Sequence, residues 1–249
     1  MAARKKREPG PEEAAAPGGA GPRGEASAGK PRPPPRRRPV EEMYREARTL
    51  AEAGKLREAV SVYRSILRRD PAHLKARNNL GYAYDLLGEP EQALAEYRRG
   101  LDQDPDNVQL LTNVGALLGS MNQFAHAERE LRRAVRLEPS NADAHLNLGL
   151  VLFRKGLYEE AAASLRRAIE LDDSRPIAFF HLGRAYNRLG RVDEAMEALQ
   201  RVIRLQPTNA RAYYTLGICH DRRHEPEKAE AMYRKARELE AAERGGRPG

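Results

Sequence analysis

Apolar residues along Asn141–Asp173 recur at intervals of three, four and seven, the spacing of one helix face. The pattern breaks once, at Lys155–Gly156, so the stretch predicts two short amphipathic helices joined by a tight turn. From about Val40 to about Glu243 the chain repeats this design. Pro71, Pro105 and Pro139 lie at a spacing of 34 residues, and Pro207 lies two periods beyond Pro139. With these prolines as position 32 of a repeat, six copies begin at Val40, Leu74, Val108, Ala142, Pro176 and Ala210.

Other positions fall into the same register. Position 8 is Ala47, then Gly81, Gly115, Gly149, Gly183 and Gly217. Position 20 is alanine throughout, from Ala59 to Ala229. Small residues at these places let two antiparallel helices approach closely. Large ones at position 7 (Leu80, Val114, Leu148, Leu182, Leu216) and position 24 (Tyr63, Tyr97, Leu131, Leu165, Leu199, Tyr233) fill the space beside the contact. Gly54, Gly88, Gly156 and Gly190, with Asn122 in copy three, supply the left-handed residue that ends each first helix. The prolines lie just past the second helices, where the chain turns.

These residues resemble the tetratricopeptide repeat family over roughly four fifths of the chain. The resemblance implies an all-α fold: a right-handed α-solenoid of six helix-turn-helix repeats whose first helices line a concave groove. A disordered tail over residues 1–39 precedes the array at 40–244, and a short disordered terminus over 245–249 follows it. Copy one lacks the position-8 glycine and the position-7 leucine. The large aromatic common at position 4 of the family is present only as Phe179 and Tyr213, with Met43, Arg77, Leu111 and His145 elsewhere. Position 28 is aliphatic in five copies but Arg237 in the sixth. A charged residue there predicts a self-capped end and a monomer.

Composition changes the picture mainly at the amino end. The net charge is +8, yet residues 1–39 carry +6 of it, so the array is nearly neutral. That segment holds no Leu, Ile, Phe or Tyr and cannot offset the entropy of ordering. Gly24–Lys30 has phosphate-loop spacing, but Pro31 stands where a magnesium-binding hydroxyl belongs. The Pro31–Pro39 run contains PxxP spacing. Arg4–Arg7 and Arg36–Arg38 are basic clusters suited to nucleic acid or an anionic membrane, although a merely solubilising tail is favoured. There is no secretory signal pattern and no membrane-spanning run, and the single Cys219 suits a reducing compartment. The default location is cytoplasmic, and the Arg-, Ala-, Gly- and Pro-rich composition suggests a bacterial, GC-rich genome.

The family resemblance places positions 2, 5, 6, 9, 12 and 13 of the first helices on the groove. Position 6 is Asn79, Asn113 and Asn147 in successive copies. A primary amide matches a peptide unit as donor and acceptor, so such a column could clamp an extended chain. It resembles the asparagine ladder of the superhelical members, such as the O-linked N-acetylglucosamine transferases. The alternative is that asparagine is simply common at this position. Lys75 and Tyr82 also fall on the groove, as do Phe153, Arg154, Phe180, Arg184, Arg188 and Tyr214 toward the carboxyl end. Aromatic residues beside arginines suit an acidic or mixed peptide, unless the apolar ones merely pack against the next repeat. No copy has the Lys-5/Asn-9 pair of the chaperone-binding carboxylate clamp.

His220 and His224 lie four apart beside Cys219, but no third ligand is assured, and Cys219 reads as a packing residue. His73, His126, His145 and His181 are scattered. No catalytic, metal or cofactor constellation emerges. The sequence therefore points to a non-enzymatic scaffold that holds an extended peptide of another protein. The alternative is an assembly or tethering protein whose basic tail contacts nucleic acid or membrane.

Overall fold

A computed structural model describes residues 38–245. Each copy forms a helix pair: α1 (Val40–Glu52) with α2 (Leu56–Arg69), α3 (Leu74–Leu86) with α4 (Pro90–Gln103), and α5 (Val108–Ser120) with α6 (Phe124–Leu137). The series continues with α7 (Ala142–Arg154) and α8 (Tyr158–Leu171), α9 (Pro176–Arg188) and α10 (Val192–Leu205), and α11 (Ala210–Arg222) and α12 (Pro226–Gly245). Arg38 and Pro39, which the sequence assigns to the tail, belong to the array. Arg38 pairs with Glu46 at 2.7 Å, and its carbonyl accepts a bond from Arg69 at 2.9 Å. The phosphate-loop-like segment, Arg4–Arg7, Arg36, Arg37 and most of the proline run lie outside the described residues.

Local chemistry sets the helix boundaries. Asn107, Asn141 and Asn209 accept from the backbone N–H three residues on, at 3.1, 2.9 and 3.0 Å, and His73 does the same through Nδ1 at 3.1 Å. Proline opens α4 and α9, where its missing N–H costs nothing. The first helices end in left-handed residues. Gly156 has φ 80° at no steric cost, whereas Asn122 (φ 60°) and His224 (φ 58°) adopt the same turn with a side chain.

Helices of a pair meet where position 24 sits on position 8. A Cβ placed on Gly81 would lie 2.5 Å from the Tyr97 ring, and one on Gly149 would lie 2.6 Å from Leu165 Cγ. Tyr97 and Leu165 are buried, so neither can swing out to solvent. The same contacts recur along the array, and one apolar core runs from Met43 to Cys219. Arg77 is an exception within it. Held where the family often carries an aromatic, it forms a buried ion pair with Glu96 at 2.9 Å and donates to the Pro71 carbonyl at 2.7 Å.

Neighbouring first helices pack on one another in series, α5 on α7, α7 on α9 and α9 on α11, while second helices make no comparable contacts among themselves. The first helices therefore line the inner side of the curve. At the carboxyl end α12 is 20 residues long against 14 in α10. Half of its extra residues are charged (Glu240, Glu243 and Arg244), and Arg237 before them is exposed. The final helix thus supplies the wetted end that the sequence had assigned to Arg237 alone.

Candidate peptide-binding groove

The three column asparagines are not equivalent. Asn79 donates to the hydroxyls of Tyr44 and Tyr63 at 3.1 and 3.4 Å. Asn113 donates to Asn78 Oδ1 at 2.8 Å. Only Asn147 keeps both functions of its amide free of other described residues, and it borders a cavity of about 230 Å³ between α5 and α7. A continuous ladder of free amides is therefore not built. In the amino-terminal half Lys75 and Tyr82 are exposed, with Tyr82 more than half exposed, as is its neighbour Leu86.

Toward the carboxyl end the groove residues converge. Arg184, Arg188, Arg211 and Arg222 line a second cavity of about 490 Å³ together with Tyr214 and Glu240. Phe153 and Phe180 are buried beneath them, 8% and 7% exposed. They pack against neighbouring repeats and act as a floor rather than as free anchors, which the family register alone does not distinguish. The Arg184 guanidinium lies 4.6 Å over the Phe153 ring and 5.6 Å over Phe180, and that of Arg211 lies 5.1 Å over Phe180. Tyr214 is exposed, and Arg154 borders the smaller cavity.

Charge is partitioned between the faces. Arg132, Arg133, Arg201 and Arg223 pair with carboxylates outside the groove, and Arg175 pairs with Asp143 at a groove position of α7. Among the described residues Arg154, Arg184, Arg188, Arg211 and Arg222 pair with none. Glu240 is the acidic residue at the larger cavity, and it is matched to Arg244 at 3.4 Å. Burial, then the charges of Arg211, Arg188 and Arg154, lower the proton affinity of Arg184. Burial, and the same neighbourhood of Arg184, Arg211 and Arg154, bring His181 down to about 4. His181 Nδ1 and Asn187 Oδ1 are buried there with no partner. Such a concentration of like charge is relieved by an anion.

The small cavity-forming residues Ala116, Gly119 and Ser120 did not stand out by chemistry, though they occupy groove positions 9, 12 and 13 and are smaller than most of their counterparts. Glu240 lies near the end of the last repeat and had no repeat-based signal. Cys219 is fully buried, and burial raises its thiol to about 11, which makes it a packing residue. His220 bonds Glu225 at 2.6 Å and His224 forms the turn, so the two histidines have separate roles. Among the described residues no cluster of metal-ligating side chains occurs, and no helix is long and apolar enough to cross a membrane.

Paired helices, small-on-large contacts and an inner face of first helices define a tetratricopeptide-repeat solenoid. The chain belongs to the family described as the cilia and flagella-associated protein 70 C-terminal domain, which it matches over residues 22–247. No curated protein matches it. Among solved structures it is similar to MamA, at 28% identity over 67% of this chain and 97% of that one, with a TM-score of 0.62. It is also similar to YrrB, a TPR protein described as having an unusual peptide-binding site, at 25% identity, 71% and 91% coverage and a TM-score of 0.61. PilF of Pseudomonas aeruginosa shares the fold, with 20% identity, 82% and 97% coverage and a TM-score of 0.70. The family match and the similarity to MamA and YrrB support a repeat scaffold for protein–protein interaction.

Proposed function

We propose that the array is a non-enzymatic scaffold that holds an extended, acidic segment of another protein in its concave groove. The observation that carries this reading is the set of groove arginines that pair with no carboxylate among the described residues, two of them, Arg184 and Arg211, stacked over a buried aromatic floor. Guanidinium groups recognise carboxylates through forked hydrogen bonds, and partial burial strengthens those bonds. The description of YrrB as a peptide-binding TPR protein supports the same use of the fold. Asn147 supplies an amide for the peptide backbone, and Lys75 and Tyr82 extend the contact toward the amino end. The charged extension of α12 favours a single chain as the working unit.

Affinity capture from native lysate tests this proposal. Arg188→Glu/Arg211→Glu reverses two exposed groove charges, and Arg64→Glu reverses one on a second helix. Loss of the captured protein with the groove pair but not with Arg64→Glu is expected. Capture that survives the groove change but disappears on removing residues 1–37 would instead favour tethering through the basic tail.

A further inference from the structure

Two separate cavities open on the same groove, and their chemistry differs. The smaller one, about 230 Å³, is walled by Ala116 and Gly119 of α5, Phe124 of α6, and Leu150 and Val151 of α7. It exists because copy three is small at three groove positions at once. Where Gly119 stands, copy four carries Phe153, and where Ser120 stands, copy four carries Arg154. A Cβ on Gly119 would come within 3.1 Å of Val151 Cγ2, so α5 and α7 approach closely at this wall. Polar groups (Ser120, Asn147, Arg154 and His181) complete the lining of a largely aliphatic recess. The larger cavity, about 490 Å³, holds Arg184, Arg188, Arg211 and Arg222.

We propose that the groove reads a two-part motif: one aliphatic side chain seated between α5 and α7, and an acidic cluster bound by the arginines between α9 and α11. This rests on the acidic-peptide reading above and adds a specificity determinant to it. The spacing follows from the packing. The cavities are two first-helix steps apart, and packed helices lie about 8–10 Å from axis to axis. An extended chain advances about 3.3 Å per residue. The aliphatic and acidic residues therefore stand about five or six positions apart. Arg154 on the smaller cavity and the stacked Arg184 on the larger one keep the connecting stretch in a positive field.

A display selection of random 16-residue peptides on the full-length chain tests the motif, with Ala116→Phe as the variant that fills the smaller cavity. Ala116 is half-buried on the cavity side of α5, and the paired-helix contact is made by its neighbour Gly115. The expected result is enrichment of an aliphatic residue about five or six positions from two or more acidic ones. In the best peptide, aliphatic→Ala should weaken binding about tenfold or more by fluorescence anisotropy. Ala116→Phe should erase that difference while retaining the acidic preference. Enrichment of acidic residues alone, or an aliphatic preference unchanged by Ala116→Phe, overturns the two-part motif and leaves the acidic groove standing. Selection without any acidic preference, or no selection above bare support, overturns both.

Discussion

The guanidinium carbon of Arg184 lies 4.6 Å from the centre of the Phe153 ring. The ring is buried, the cation is half-buried, and no carboxylate among the described residues neutralises it. Stacking offsets part of the cost of desolvation, but repulsion from Arg211, Arg188 and Arg154 remains. Arg184→Met keeps the apolar cover over Phe153 and removes the charge. The free protein should gain roughly 0.5–1 kcal/mol in urea unfolding, while an acidic peptide binds more weakly. A loss of stability would show that the stack is structural and not held ready for an anion.

His181 carries a pH signature. Its folded value of about 4 lies below the ordinary 6.5, because burial and three arginines disfavour the imidazolium. Below the ordinary value the unfolded chain binds the proton more readily, so stability falls as pH drops from about 6.5 to 4. The loss approaches roughly 1.4 kcal/mol per pH unit at its steepest. Urea unfolding of wild type and His181→Gln across this window checks it. The difference between their stabilities should shrink steadily with falling pH, and parallel curves would remove His181 from the account.

The Arg77–Glu96 pair gives an asymmetric expectation. Glu96→Ala strands a buried guanidinium whose Nε already lacks a partner, and should cost about 3–5 kcal/mol. Replacing both by leucine removes both desolvation penalties and should be near neutral. The double-mutant cycle in urea decides it, and a double variant as damaged as the single one contradicts the argument.

Glycine matters for two distinct reasons that unfolding can separate. Gly149→Ala forces a Cβ against Leu165 and should cost about 1–3 kcal/mol. Asn122→Gly relieves a left-handed side chain and should add up to about 1 kcal/mol. Opposite shifts in thermal midpoint are expected. A neutral Gly149→Ala would mean that the pair contact can relax.

Much of this was legible before any coordinates. The six helix pairs, the residues that end their first helices, and the small residues that let paired helices approach are local consequences of a 34-residue period, although that position 24 sits directly on position 8 emerged only from the packing. Each depends on residues close in sequence, and each is repeated often enough to be read. The groove arginines were also legible as a group, because the register places them on one face.

What the tertiary structure decided was which of those residues remain available. Asn79 and Asn113 matched the column by type, but a hydroxyl or amide from a neighbouring helix takes up their donors. Phe153 and Phe180 matched the groove register, but the next repeat covers them. The small residues at Ala116, Gly119 and Ser120 were visible in the sequence, but they wall a recess only where Val151 and Leu150 of the following copy stand opposite them. Sequence determines the periodic face of each helix, since that needs only the 3.6-residue turn. Free hydrogen-bonding groups, cavity volume and unpaired charge depend on distances between side chains about a whole repeat apart, and only the packed array sets those.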